Sequence, residues 1–216
     1  MTGMRASLGA RLGELVQHDP RVWFGSDQQS EFRTEVTGWP ELDRILPGGG
    51  WPAGALSELF CPVEGIGEFS LLLPLIVRLT SAGKRVVLVA PPHVPYSQAL
   101  SERGVKLDRL VLLSPQSARD SLWAAEQALR CAAVGLVVAW PQRAGDRELR
   151  RLALAAETSG AAAIVYRPAR EARTFSPAAL RMLVKPAGTA SLELEVLKSR
   201  GGHAGITKLR TATGRA

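Results

Sequence analysis

Apolar residues fall along this chain in two kinds of run. Short runs at residues 55–60, which Glu58 interrupts, and at 85–90, 110–113, 134–140 and 161–166, which are continuous or β-branched, have the length of buried strands. Between them the apolar positions recur at helical spacing. Phe69, Leu72, Leu73, Ile76 and Leu79 predict a helix over 67–82, with Pro74 as a kink or an early-turn residue and Gly83 as its end. Leu122, Ala125, Leu129 and Ala132 predict a second helix over 119–132, and Leu149, Leu152 and Ala156 a third that opens at Gly145-Asp146. Strands alternating with helices predict an α/β fold with a central, largely parallel sheet flanked by helices. Two further runs, 181–185 and 191–198, predict a closing hairpin around Pro186-Ala-Gly188-Thr.

The two ends differ from this middle. Residues 5–17 place Leu8, Leu12, Leu15 and Val16 on one helical face, Asp19-Pro20 stops the helix, and Val22-Trp23-Phe24 follows. Leu8, Leu12, Leu15, Trp23 and Phe24 either cover the chain's own domain or contact a neighbouring subunit or partner. The organisation expected is an N-terminal helix and linker over 1–36, a core domain over 37–198, and a basic tail over 199–216 with too few apolar residues to fold alone, hence flexible.

Charge sharpens the picture at the tail. The 216 residues carry 27 Lys and Arg against 20 Asp and Glu, a net +7 at pH 7. After Glu195 there is no acidic residue, while Lys198, Arg200, Lys208, Arg210 and Arg215 follow. With Arg167, Arg170 and Arg173 of the polar stretch 167–176, the cations from Lys198 to Arg210 are candidate contacts to DNA phosphates, the alternative being an ordinary solvated loop and tail. Cys61 and Cys131 are too few for a disulfide framework or a metal site and are expected as buried thiols. No apolar run approaches about 18 residues, so a soluble, cytoplasmic protein is expected.

The chemistry turns on residues 61–70, Cys-Pro-Val-Glu-Gly-Ile-Gly-Glu-Phe-Ser, which lie between a strand and a helix where a phosphate-binding loop would read G-x-x-x-x-G-K-[ST]. Glycines let backbone N–H groups wrap the phosphate, the lysine neutralises its oxygens, and the hydroxyl holds magnesium. Here Cys61 stands in the first glycine position, the spacing to Gly67 is one residue too long, and Glu68 replaces the lysine. A carboxylate there repels a triphosphate. Gly65, Gly67 and Ser70 are what a divergent but working loop would have to rely on.

Residues 37–58, TGWPELDRILPGGGWPAGALSE, resemble the entry to the core domain of the RecA/RadA-like recombinases, where such a stretch leads into the phosphate-loop strand. The resemblance continues through the strand before His93, the short helix up to Arg103, and the turn GVKLDRL. It implies a RecA-like core. Where the recombinases carry the glutamate that orients water this chain has Pro92, and where their magnesium-holding aspartate ends a strand it has Trp140. Lys to Glu68, Glu to Pro92 and Asp to Trp140 all remove one chemistry, so a degenerate nucleotide site without ATPase activity, cofactor or metal is expected, with Phe69 and Trp140 filling the vacated volume.

In combination, LPGGGWPAGALSEL, GIGEFSLLLPL, APPHVPYSQAL, LWAAEQALR and AWPQRAGDRELRRL are similar to the ImuA family of translesion-synthesis-associated, RecA-like or SulA-like proteins, over roughly 37–197. That resemblance implies a non-enzymatic adaptor in DNA-damage-induced (SOS) mutagenesis. The partners it implies are ImuB, an inactive relative of Y-family polymerases, RecA, and an error-prone replicative-type polymerase, with self-association as a further expectation. A divergent ATPase and a DNA-binding RecA paralogue are the alternatives.

Overall fold

The order of strands explains the alternation in the sequence. The computed structural model describes residues 33–202 and 204–211; Leu8, Leu12, Leu15, Trp23 and Phe24 lie outside the described residues. At the start, β1 (Thr34–Glu35) pairs antiparallel with β2 (Trp51–Pro52) around α1 (Pro40–Asp43). Then come β3 (Leu56–Cys61), α2 (Leu73–Ser81), β4 (Arg85–Val89), α3 (Ser97–Glu102), β5 (Leu110–Leu113), α4 (Ala118–Leu129), β6 (Val134–Ala139), α5 (Asp146–Ser159) and β7 (Ala162–Pro168). The chain closes with β8 (Leu180–Pro186), β9 (Ser191–Ser199) and β10 (Gly205–Arg210).

These strands form an eight-stranded sheet in the order β10-β9-β8-β3-β7-β6-β4-β5. From β8 to β5 every pairing is parallel, as strands joined by crossover connections require, while β9 and β10 extend the sheet as antiparallel strands. The α/β architecture with a mostly parallel central sheet flanked by helices is therefore the observed one.

Two apolar layers cover the sheet. On one face Leu59, Leu136 and Ile164 pack with Leu75 and Ile76 of α2 and with Trp51. On the other, Leu56, Val137 and Ala163 meet Leu129 of α4 and Leu149 and Leu152 of α5. Pro74 sits in the first turn of α2, where its missing N–H leaves no helical bond unmade, so it acts as an early-turn residue and not a kink. Gly38 (φ +83°) lies against it, at a point where a β-carbon would stand 2.3 Å from that of Pro74.

Three expectations are corrected. The segment from Gly205 to Arg210 is a strand and not a flexible tail: the backbone of β9 supplies its ladder partners, and Leu209 buries itself opposite Leu192. One inward apolar side chain is enough when a neighbouring strand is already in place. Cys131 is exposed, because α4 ends at Leu129 and leaves it in the turn that follows; Cys61 is buried. Ala132 is exposed for the same reason.

Candidate functional site

The loop after β3 sits at the carboxyl end of the parallel strands, the end at which open α/β sheets present their sites. Gly65 (φ +78°) and Gly67 (φ +92°) take left-handed conformations that allow the chain to double back before a 3-10 turn, Glu68–Leu72, leads into α2. The carboxylate of Glu68 folds back over this loop. Its Oε1 accepts the N–H of Gly65 at 3.1 Å, and its Oε2 is buried and meets no protein donor among the described residues. A loop N–H of the sort that would hold phosphate is thus taken by the chain's own anion.

Cys61, at the end of β3, reports the local field. Burial first, and then the charges of Glu68 and Glu64, push its thiol up to about 12. Desolvation and the two nearby carboxylates both favour its neutral form.

Three aromatic residues close the site. Trp140, immediately after β6, stacks on Tyr166 of β7 with ring centroids 5.0 Å apart and planes 12° apart, and Phe69 stands 6.2 Å from Trp140. The Tyr166 hydroxyl donates to the carbonyl oxygen of Glu68 at 2.8 Å, which ties the aromatic cluster to the loop. Burial pushes the Tyr166 phenol well above its ordinary value, with Cys61 and Glu68 adding to the shift. Phe69 and Trp140 do come together as expected. Tyr166 is an addition that sequence reasoning missed, although its place at the end of an apolar strand predicted to reach this edge was the available signal. Space remains beside them in a cavity of about 520 Å³ lined by Cys61, Glu64, Glu68, Trp140, Tyr166 and Arg170, among others. Pro92 lines a neighbouring cavity of about 280 Å³ that also reaches Trp140.

Beneath the loop lies a charge network that the sequence did not disclose. Glu58, expected only as an interruption of an apolar strand, is fully buried. Its Oε1 accepts from Nη1 of Arg167, and its Oε2 from Nε of Arg181 at 2.8 Å. Arg167 also donates through Nη2 to Glu171 and, at 3.0 Å, to the carbonyl of Ala144. Both guanidinium groups lie over the Phe60 ring, at 5.9 and 4.9 Å from its centroid. Two carboxylates and two guanidinium groups leave the network neutral. The clue was available: a glutamate in a buried strand needs cations, and Arg167 and Arg181 fall at inward positions of neighbouring strands.

Arg167 is accordingly corrected as a phosphate contact. Strand β7 runs to Pro168, so alternation turns Arg167 inward and the network consumes its charge. Arg170 and Arg173 are exposed on the 3-10 turn Ala169–Arg173. Lys198 donates to the Ser176 carbonyl at 3.1 Å, and partial burial followed by Arg181 and Arg200 lowers its ammonium below the ordinary lysine value. Arg200 and Arg210 are exposed, and Lys208 stands 3.5 Å from Glu193 across the β9–β10 pair. Lys198 and Arg200 lie level with the start of β8 and Arg210 with its far end, so the candidate cations do not form a single cluster.

A RecA-like fold implies a nucleotide with magnesium at this loop, and the residues present do not fit one. The lysine position holds an anion already engaged by the loop, the strand-end carboxylate is an indole, and among the described residues no group of three or more His, Cys, Asp or Glu could hold a metal ion. No helix among the described residues is long and apolar enough to cross a membrane.

The topology and the position of the loop define an α/β domain with a mostly parallel central sheet flanked by helices, consistent with a RecA-like core. Over 116 residues, 52% of this chain and 33% of the relative, the chain is 32% identical to Protein RecA of Phytoplasma mali. It is also 32% identical over 117 residues to Protein RecA of a Picosynechococcus species, and 29% identical over 114 residues to that of Streptomyces venezuelae, in each case over 53% of the chain. The matched segment spans about a third of the length of these curated relatives. No protein-family profile matches the chain.

Proposed function

We propose that this chain is a non-catalytic RecA-like adaptor in DNA-damage-induced translesion synthesis, which works by binding protein partners and not by turning over nucleotide. The observation that carries the non-catalytic part is the Glu68 carboxylate on the Gly65 N–H, an internal anion standing where a phosphate would be held. The aromatic cluster supports the same reading, since Trp140 stands at the position of the magnesium-holding carboxylate and packs there with Phe69 and Tyr166. A domain that keeps a RecA-like architecture without this chemistry retains its surfaces for assembly. The translesion role and the partners, ImuB, RecA and an error-prone replicative-type polymerase, come from the motif-level resemblance to the ImuA family.

Size-exclusion chromatography with light scattering, on the protein alone and mixed with RecA or ImuB, with and without ATP, tests the proposal. The expected result is a complex with one of these partners whose mass is independent of nucleotide, together with no saturable binding of a fluorescent ATP analogue at micromolar concentration in magnesium. Saturable analogue binding, or a complex that forms only with ATP, would overturn the non-catalytic reading. Failure to bind either partner would overturn the adaptor role.

A further inference from the structure

Helices α4 and α5 lie side by side on one face of the sheet and are tied together by Glu126, which pairs with Arg130 on its own helix and with Arg151 on the other. Their outer surface encloses a groove of about 470 Å³. Trp123 forms one wall, 59% exposed, above Leu122 and one helical turn beyond Arg119. Arg143, from the segment before α5, and Arg151 line the other side.

The packing of α4 does not call for an indole at this position. Its buried residues are Ser121, Ala125, Glu126 and Leu129, with Leu122 and Ala128 packed beside them, and the ring of Trp123 stands outside the core. Arg119 and Arg143 enter no ion pair among the described residues, while the charge of Glu126 is answered by two arginines. The remaining carboxylate, Glu148, is in the first turn of α5, against Gly145 at the positive end of that helix. The groove therefore presents two guanidinium groups that enter no ion pair among the described residues, next to an exposed aromatic face, with Glu148 as its one carboxylate outside an ion pair.

We infer that this groove binds single-stranded nucleic acid, with Trp123 stacking on a base and Arg119 and Arg143 holding the flanking phosphates. A π-face accepts any base, and the guanidinium fork matches phosphate oxygens in a bidentate manner. An acidic peptide would satisfy the arginines but offers the indole no flat partner. This assignment is independent of the reading of the phosphate loop and differs from the tail and loop cations considered above.

The test is fluorescence anisotropy of a labelled oligothymidylate with the full chain across a salt series. Two phosphate contacts on a single strand predict a slope near −1.4 in log affinity against log salt, and Arg119→Gln or Arg143→Gln each removes about 0.7 from it. Trp123→Ala weakens binding about 5- to 150-fold, the range for losing one stacked base, and makes the protein indifferent to replacing the oligonucleotide with an abasic strand of equal phosphate count. All three positions are exposed, so thermal unfolding should be unchanged. The double variant Lys208→Gln with Arg210→Gln should bind as the parent does. Wild-type binding by the Trp123 and arginine variants would overturn the assignment, as would loss confined to the Lys208/Arg210 variant. Equal affinity for abasic strand and polyglutamate would make the groove an acidic-protein surface instead.

Discussion

At the scale of single residues, the site is governed by what a carboxylate does to its neighbours. Glu68 satisfies a loop donor and at the same time raises the cost of ionising Cys61. The sign of the resulting pH dependence follows directly. A thiol ionises near 8.5 in the unfolded chain, whereas in the fold Cys61 holds its proton up to about 12. Between these values the unfolded state binds fewer protons, so the contribution of Cys61 to stability is complete below about pH 8.5 and is lost as pH rises towards about 12. Denaturant titrations from pH 7 to 10 should show stability falling on the alkaline side, and Cys61→Ala should flatten that fall. With an alkylating reagent at pH 8, peptide mass spectrometry should find Cys131 modified in the native protein and Cys61 modified only after denaturation.

At the scale of elements, Glu58 joins three strands through one side chain, since it lies on β3 while its partners lie on β7 and β8. The desolvation cost of such a group is tolerable only when every charge is answered, and removing one member leaves the others buried and unpaired. Glu58→Ala should destabilise the fold by about 3–5 kcal/mol in denaturant unfolding. The triple variant Glu58→Leu, Arg167→Met, Arg181→Met should recover a large part of that loss, because an apolar replacement needs no partners. A triple variant no more stable than Glu58→Ala would mean that the network stabilises through its cation–π contacts with Phe60 and not through charge pairing.

For the molecule as a whole, the sheet ends in β10, and this changes what a truncation measures. Removing residues 199–216 deletes β10 and bares the backbone edge of β9, together with the apolar surface that Leu209 covers. Exposed edges of this kind template pairing between molecules. The truncated chain should therefore show a lower melting temperature and larger species by light scattering, and any loss of DNA binding in it would report unfolding and not the loss of basic side chains. Charge substitution at Lys208 and Arg210, which leaves the strand intact, separates the two.

Local patterns were enough for the strands and helices between residues 55 and 199, their order, and the absence of a lysine at position 68. Continuous apolar runs and 3.6-residue spacing report burial on one element at a time, and that information is complete within a few residues. The boundaries of β5 and the inward face of α5 were legible for this reason. Pairings between distant residues were not legible. Glu58 and Arg181 lie 123 positions apart, and the Tyr166 hydroxyl reaches a carbonyl 98 positions away. Whether Arg167 met solvent or a buried carboxylate depended on β7 running two residues further than the apolar run, a length set by pairing with β3. The fate of Gly205–Arg210 depended likewise on the open edge of β9. The sequence by itself determined the strands and helices of the central α/β unit and which nucleotide-binding residue types are absent from their positions, because both are properties of the residues at hand. Only the tertiary structure decided which charges are consumed inside the fold and which stay free on its surface, because charge satisfaction depends on neighbours that only folding assembles.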